Sequence, residues 1–136
     1  MSIGRVIAFD PGSKRIGVAL SDPLRIVAAP HAVLDAHDPW REIMELLEEY
    51  EPSEIVVGLP MSLSGEEGPA AQRARAFGEE LERRSGRSIV WVDERFTTKT
   101  AEEALIEGGV RRRERKQSVD KVAAAVILQH YLSSHP

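Results

Sequence analysis

The chain has no cysteine among its 136 residues. A disulfide framework, a thiolate metal site and a cysteine nucleophile are therefore all excluded, and the default compartment is a reducing one. Long apolar runs are missing too. Nothing approaches the ~20 residues of a membrane span, and the start, MSIGRVIAFDPG, carries charge within its first ten residues instead of the apolar stretch of a signal peptide. The expectation is a cytoplasmic protein with no membrane partner. Repeats and low-complexity tracts are likewise absent, so residues 1–136 are expected to form one domain with one core. Net positive charge is lacking as well: at −4 the chain is not one that coats nucleic acid by counterion displacement.

Local charge differs from the total. Positive residues concentrate at Lys14 and Arg15 and in the run Arg111, Arg112, Arg113, Arg115 and Lys116. Taken alone, such a run reads as a solvated loop or helix end.

The hydrophobic pattern gives the organisation. Residues 3–10 form a nearly continuous apolar run ending in Asp-Pro-Gly, which predicts a buried strand followed by a tight turn. Residues 16–20 and 26–34 read as a second and third strand. The links are too short for helical crossovers, so an antiparallel meander is expected. Asp38 and Pro39 supply an N-cap and a first-turn proline for a helix carrying Trp40, Ile43, Met44 and Leu47, stopped at Glu51-Pro52. Residues 54–59 predict a fourth strand. A helix over 68–84 with Ala70, Ala74, Phe77 and Leu81 on its apolar stripe follows, then a fifth strand over 88–93. This strand–helix–strand unit predicts a parallel crossover. A further helix is expected over 98–107, and a last one from near Ser118, with Val119, Val122, Ala123, Val126 and Ile127 on one face. Segments 62–68 and 108–117 are left as loops. The fold class is α/β: a mixed five-stranded sheet, three antiparallel strands and then two parallel, flanked by helices.

That arrangement sets three acids at element ends: Asp10 where the first strand stops, Glu94 just after the fifth, and Asp120 in the first turn of the last helix. Each alone would pass for a cap or a turn former. Gathered together they would repel one another unless a cation intervened, and hard oxygen donors without cysteine or paired histidine select Mg²⁺ or Mn²⁺. Two such ions, roughly 3.5–4 Å apart with substrate bound, support in-line hydrolysis of a phosphodiester. His31, His37, His130 and His135 show no ligand spacing.

Five segments then carry a resemblance over nearly the whole chain: FDPGSKRIGVALSD at 9–22, IVVGLP at 55–60, GEEGPAAQRARAF at 65–77, VDERFTT at 92–98 and VDKVAAAVIL at 119–128. In that order and spacing they resemble the YqgF/RuvX nucleases, relatives of the RuvC Holliday junction resolvase in the ribonuclease H-like superfamily. The resemblance implies a ribonuclease H-like fold and makes Asp10, Glu94 and Asp120 the metal-binding catalytic acids. It further implies trimming of the 5′ end of precursor 16S ribosomal RNA, with Holliday junction or branched-DNA cleavage as the alternative.

The surrounding residues fit a nucleic-acid partner, either structured RNA or branched or single-stranded DNA. Lys14 and Arg15 would hold flanking phosphates, and Arg73 and Arg95 would grip a phosphate through two hydrogen bonds. With Asp120 just beyond it, the run from Arg111 to Lys116 becomes a sequence-blind contact. Gly12 and Gly17 would let the first hairpin turn tightly, and Gly58 would clear space beside the metals. Asp93 points away from Glu94 by strand alternation. Trp40 and Trp91 are expected on apolar faces.

Two readings of other classes compete. The Asp-Pro-Gly-Ser hairpin is also similar to the phosphate turn of actin-like and sugar kinases, but those close a cleft between two such domains and this chain is sized for one. A non-catalytic nucleic-acid-binding module of ribosomal precursor particles would keep the fold without the acids, and all three acids are present. A resolvase would need a homodimer, whereas an RNA-processing enzyme can act as a monomer.

Overall fold

The computed structural model describes residues 4–62, 64–94 and 112–134, and for 112–121 the backbone alone. The elements run β1 (Val6–Pro11), β2 (Arg15–Ser21), β3 (Ala28–Asp35), α1 (Trp40–Tyr50), β4 (Glu54–Leu59), α2 (Pro69–Ser85), β5 (Val90–Asp93) and α3 (Arg112–Ser134). The five strands form one sheet in the order β3-β2-β1-β4-β5. β1 pairs antiparallel with β2 and parallel with β4; β2 pairs antiparallel with β3, and β4 parallel with β5. The expected mixed sheet is thus present.

Strand alternation divides the core into two layers. Val6 and Ala8 of β1, Ala19 of β2, Val56 of β4 and Val92 of β5 share one face with Ala124, Ile127, Leu128 and Leu132 of α3. Ile7 and Phe9 of β1, Val18 of β2, and Ile55 and Val57 of β4 share the other with Ile43 of α1 and Phe77 and Leu81 of α2. Trp40 stacks on Phe77 with ring centroids 5.3 Å apart, so that tryptophan is a core side chain, as expected.

Several boundaries differ from the sequence reading, each for a local reason. β3 starts at Ala28 and not at Ile26, because Oδ1 of Asp22 accepts the N–H groups of Ile26 and Val27 at 2.7 and 2.8 Å and holds them in a turn. Asp38 does not cap α1. Its N–H goes to the Asp35 carbonyl, the Asp35 carboxylate takes the His37 N–H at 2.9 Å, and Pro39 occupies the cap position without a side-chain bond. On α2 the buried stripe runs through Ala71, Ala74, Phe77, Gly78 and Leu81, while Ala70 is exposed. β1 and β5 begin at Val6 and Val90, later than expected. The last helix begins at Arg112, six residues before Ser118, since Arg112 to Gln117 are helix formers uninterrupted by glycine or proline. Asp120 therefore lies in its third turn. The helix expected over 98–107, along with Arg95 and Arg111, lies outside the described residues. No helix among those described is long and apolar enough to cross a membrane.

At the end of the sheet where β1 and β4 begin, one network joins three segments. The Arg25 guanidinium donates to the Gly4 carbonyl at 2.9 Å, to Glu54 at 3.0 Å and to Ser53 at 3.1 Å, and the Tyr131 hydroxyl donates to the other oxygen of Glu54. Burial and the adjacent Glu54 carboxylate push the Tyr131 phenol up to about 12. A hydrogen bond to a charged group contributes about 1.5–3 kcal/mol. Tyr131→Phe should lower the unfolding free energy by that amount in urea titrations; an unchanged midpoint would remove the network from the stability of the fold.

Candidate active site

Asp10 is the fifth residue of β1, and Glu94 follows the last residue of β5. β4 lies between those strands, so the two acids stand two strands apart, roughly 9–10 Å of backbone separation. Alternation puts both on the α3 side of the sheet, Asp10 in phase with Val6 and Ala8, and Glu94 in phase with Val92. The Glu94 N–H donates to the Leu59 carbonyl at 3.2 Å, which fixes the chain as it leaves β5.

Across this gap the two side chains meet in a carboxyl–carboxyl hydrogen bond. The passage runs over Gly58. A Cβ on Gly58 would collide with Oε2 of Glu94 and lie 2.7 Å from Cδ1 of Ile127. The space cleared by Gly58 thus belongs to the Glu94 carboxylate and to α3.

Glu94 is only 8% exposed. Burial, then the negative charge of Asp10 and the hydrogen bond that the Glu94 carboxyl donates to it, then the charge of Asp93, hold the Glu94 carboxyl well above the usual range. Asp93 itself is exposed and points to the opposite face, as alternation required. A buried carboxyl beside a second, half-buried acid is a place whose favourable counter-charge is a cation.

α3 approaches from the side of the sheet that carries both acids. Ile127 lies against Gly58 near the end of β4, whereas Tyr131 bonds Glu54 at its beginning, so the helix runs opposite to β4. Asp120 precedes Ile127 by seven residues. Two helical turns amount to about 10 Å, and the position falls on nearly the same line of the helix. Its backbone is therefore at the end of the sheet that holds Asp10 and Glu94; its side chain lies outside the description. Among the described residues no group of three or more acids or histidines is gathered for a metal.

Of the expected cationic residues, three lie at this end of the sheet. Lys14 is exposed in the β1–β2 turn, whose carbonyl and N–H groups are engaged by Ala36 and, through Gly12, Arg15. Arg15 opens β2 opposite Asp35. Arg73 is exposed near the start of α2. The basic residues Arg112, Arg113, Arg115 and Lys116 occupy the first turns of α3, not a loop. Sequence reasoning missed Arg75, which pairs with Glu67 and lies over the Trp91 ring, because such a contact leaves no periodic signal.

A mixed sheet in this order, helices on both faces and acids at the ends of β1 and β5 together define the ribonuclease H-like class of folds. Within that class, the family model for RuvX, described as Holliday junction resolvase, matches residues 4–134, and the chain belongs to this family. Relatives from Lactococcus lactis and Dictyoglomus turgidum, each named "Putative pre-16S rRNA nuclease", are 40% and 44% identical. They align over 96% of this chain and 95% and 94% of their own. Thermus thermophilus RuvC in complex with a Holliday junction substrate shares the fold with a TM-score of 0.56 at 19% identity, covering 96% of this chain and 94% of that one.

Because the folded protein raises the Glu94 pKa above 4.5, it binds that proton more tightly than the unfolded chain. The stabilisation is complete below pH 4.5 and is lost as pH rises from there toward the folded-state value. Metal-free protein should accordingly lose stability between pH 5 and pH 8, and Glu94→Gln should raise its melting temperature at pH 8 by roughly 5 °C or more. Thermal denaturation in chelator at both pH values checks this, and parallel profiles for the two proteins would refute it.

Proposed function

We propose that the chain is a divalent-metal-dependent nuclease that hydrolyses phosphodiester bonds, with the 5′ end of precursor 16S ribosomal RNA as its substrate in the cytoplasm. The observation that carries this reading is the meeting of the half-buried Asp10 and the buried Glu94 over Gly58. Membership of a resolvase family and the names of relatives at 40–44% identity support the nuclease chemistry and the RNA substrate respectively.

The donor set fits a hard cation: carboxylate oxygens only, one of them on the deeply buried Glu94, whose place over β4 a side chain at residue 58 would take. Asp10, Glu94 and Asp120 would hold Mg²⁺ or Mn²⁺, two ions with substrate bound. Bound there, such ions lower the pKa of water and offset charge on the phosphate. Glu94 would give up its proton to hold a cation, so affinity for the cation would rise with pH. Lys14, Arg15 and Arg73 bind phosphates on either side of the scissile bond, as do Arg95, Arg111, Arg112, Arg113, Arg115 and Lys116, and hold the backbone in line with the acids.

Cleavage of labelled precursor ribosomal RNA, single-stranded RNA and DNA, and a four-way DNA junction in Mg²⁺, Mn²⁺ or chelator tests this reading. Metal-dependent cutting of the RNA is expected. Cutting confined to the junction would move the substrate to branched DNA, and no cutting of any of them would remove the activity. Asp10→Asn and Asp120→Asn should each reduce the rate roughly a thousandfold or more with folding retained. Gly58→Ala should disable cleavage as well, by displacing Glu94. Arg112→Ala with Arg113→Ala should weaken binding and reduce its salt slope by about 2, leaving the chemical step nearly intact; an unchanged salt slope would return that run to a structural role.

A further inference from the structure

The loop from β4 to α2 leaves the sheet immediately after Leu59, whose carbonyl receives the Glu94 N–H. It therefore begins beside the paired acids. Met61 packs against Leu59, Ala71 and Ala74, a small cluster that Trp91 also joins. Ser62 closes the next turn: its N–H donates to the Glu66 carbonyl at 3.0 Å, its hydroxyl accepts the Glu66 N–H at 3.0 Å, and its carbonyl accepts the Gly65 N–H at 2.9 Å. Glu67 then turns its carboxylate onto Arg75, two turns into α2, in a two-pronged ion pair of 2.7 and 3.0 Å. The same guanidinium lies 5.1 Å from the centroid of Trp91, on the strand that leads to Glu94. α2 is shaped to admit that ring, since a Cβ on Gly78 would collide with Trp91 and lie 2.7 Å from Ile89 Cδ1. A glycine inside a helix costs about 1 kcal/mol, which the ring contact offsets.

We propose that Glu67 and Arg75, seated on Trp91, form a positioning clamp that fixes the β4–α2 loop as one wall of the nucleic-acid groove. The inference rests on the nuclease reading and adds to it a determinant of substrate binding. An ion pair with side chains 41% and 36% exposed contributes little to global stability. Its paired, stacked geometry is suited instead to fixing a position. What it positions is a loop with two acids, Glu66 and Glu67, at the end of the sheet where phosphates must pass. Arg75 neutralises one of them and holds the loop in one conformation, so that the groove does not have to be ordered when substrate arrives.

A clamp and a direct phosphate contact predict opposite patterns. Glu67→Gln, Arg75→Gln, the double variant and the exchanged pair Glu67→Arg with Arg75→Glu are compared with the wild type. Binding of labelled single-stranded RNA is read by anisotropy in Ca²⁺, and cleavage by KM and kcat in Mn²⁺. Hydrogen exchange of the Gly65 and Glu66 amides reports the loop without reference to any substrate. If the pair acts as a clamp, each single variant raises Kd and KM by about three- to tenfold with kcat unchanged. The double variant is then no worse than either single one, the exchanged pair recovers most of the loss, and both amides exchange faster in both single variants. If Arg75→Gln weakens binding while Glu67→Gln leaves it unchanged or tightens it, Arg75 grips phosphate itself and the proposal is overturned. Unaltered exchange at Gly65 and Glu66 overturns it equally. A wild type that binds no RNA and cuts none would refute the nuclease reading and the groove with it, while the exchange data would still decide whether the clamp holds the loop.

Discussion

Two carboxylates on strands that are not neighbours, one of them buried, must meet, and the strand between them must let them do so. Much of the structure can be derived from that constraint. β4 meets it by having no side chain at residue 58, because any Cβ there collides with Glu94. The cleared space is filled from above by Ile127, which excludes water and makes the negative charge of Glu94 costly. The Glu94 carboxyl holds its proton more tightly here than in the unfolded chain, so the folded state loses stability as pH rises. The site is thus strained electrostatically, in the manner expected where charge waits for a ligand.

The framework that holds this strain in place lies largely at the opposite end of the sheet. There the Tyr131 hydroxyl and the Arg25 guanidinium grip the two oxygens of Glu54, at the start of β4. Since Ile127 abuts Gly58 near the finish of the same strand, α3 is registered against β4 at two heights. A helix fixed at two points has little freedom to slide. Its earlier turns, with the backbone of Asp120, are carried by that registration to the end where Asp10 and Glu94 meet. The distant network consequently contributes to site geometry through rigid elements, from the opposite end of the sheet.

Much of this was legible in the sequence because it follows short-range rules. Alternation of apolar residues placed the strands, Asp-Pro-Gly marked the end of β1, and the adjacency of Asp93 and Glu94 required that only one of them face Asp10. What remained hidden depended on distance in space. The Asp22 carboxylate delays β3 by capturing two amides, although the residues it captures, Ile26 and Val27, are strand formers. Ser118 has the composition of a helix start, yet the helix formers before it carry α3 back to Arg112. Gly58 was recognisable as a gap, but its occupant was not, since neither Glu94 nor Ile127 is near it in sequence. The Arg75–Trp91 contact was invisible for the same reason.

The charge distribution bears on how such a site finds its substrate. With a net charge of −4 the protein gains no long-range attraction to a polyanion, and at physiological ionic strength charges beyond about 8 Å are largely screened. Only cations within reach of the bound strand count. Lys14, Arg15 and Arg73 are near the acids because the hairpin after β1 and the start of α2 both lie at that end of the sheet. A negative total makes affinity depend on how well the groove is shaped before the substrate enters. A loop held by its own hydrogen bonds and by an arginine seated on a tryptophan meets that requirement, whereas a mobile loop carrying Glu66 and Glu67 would add repulsion and an ordering cost together.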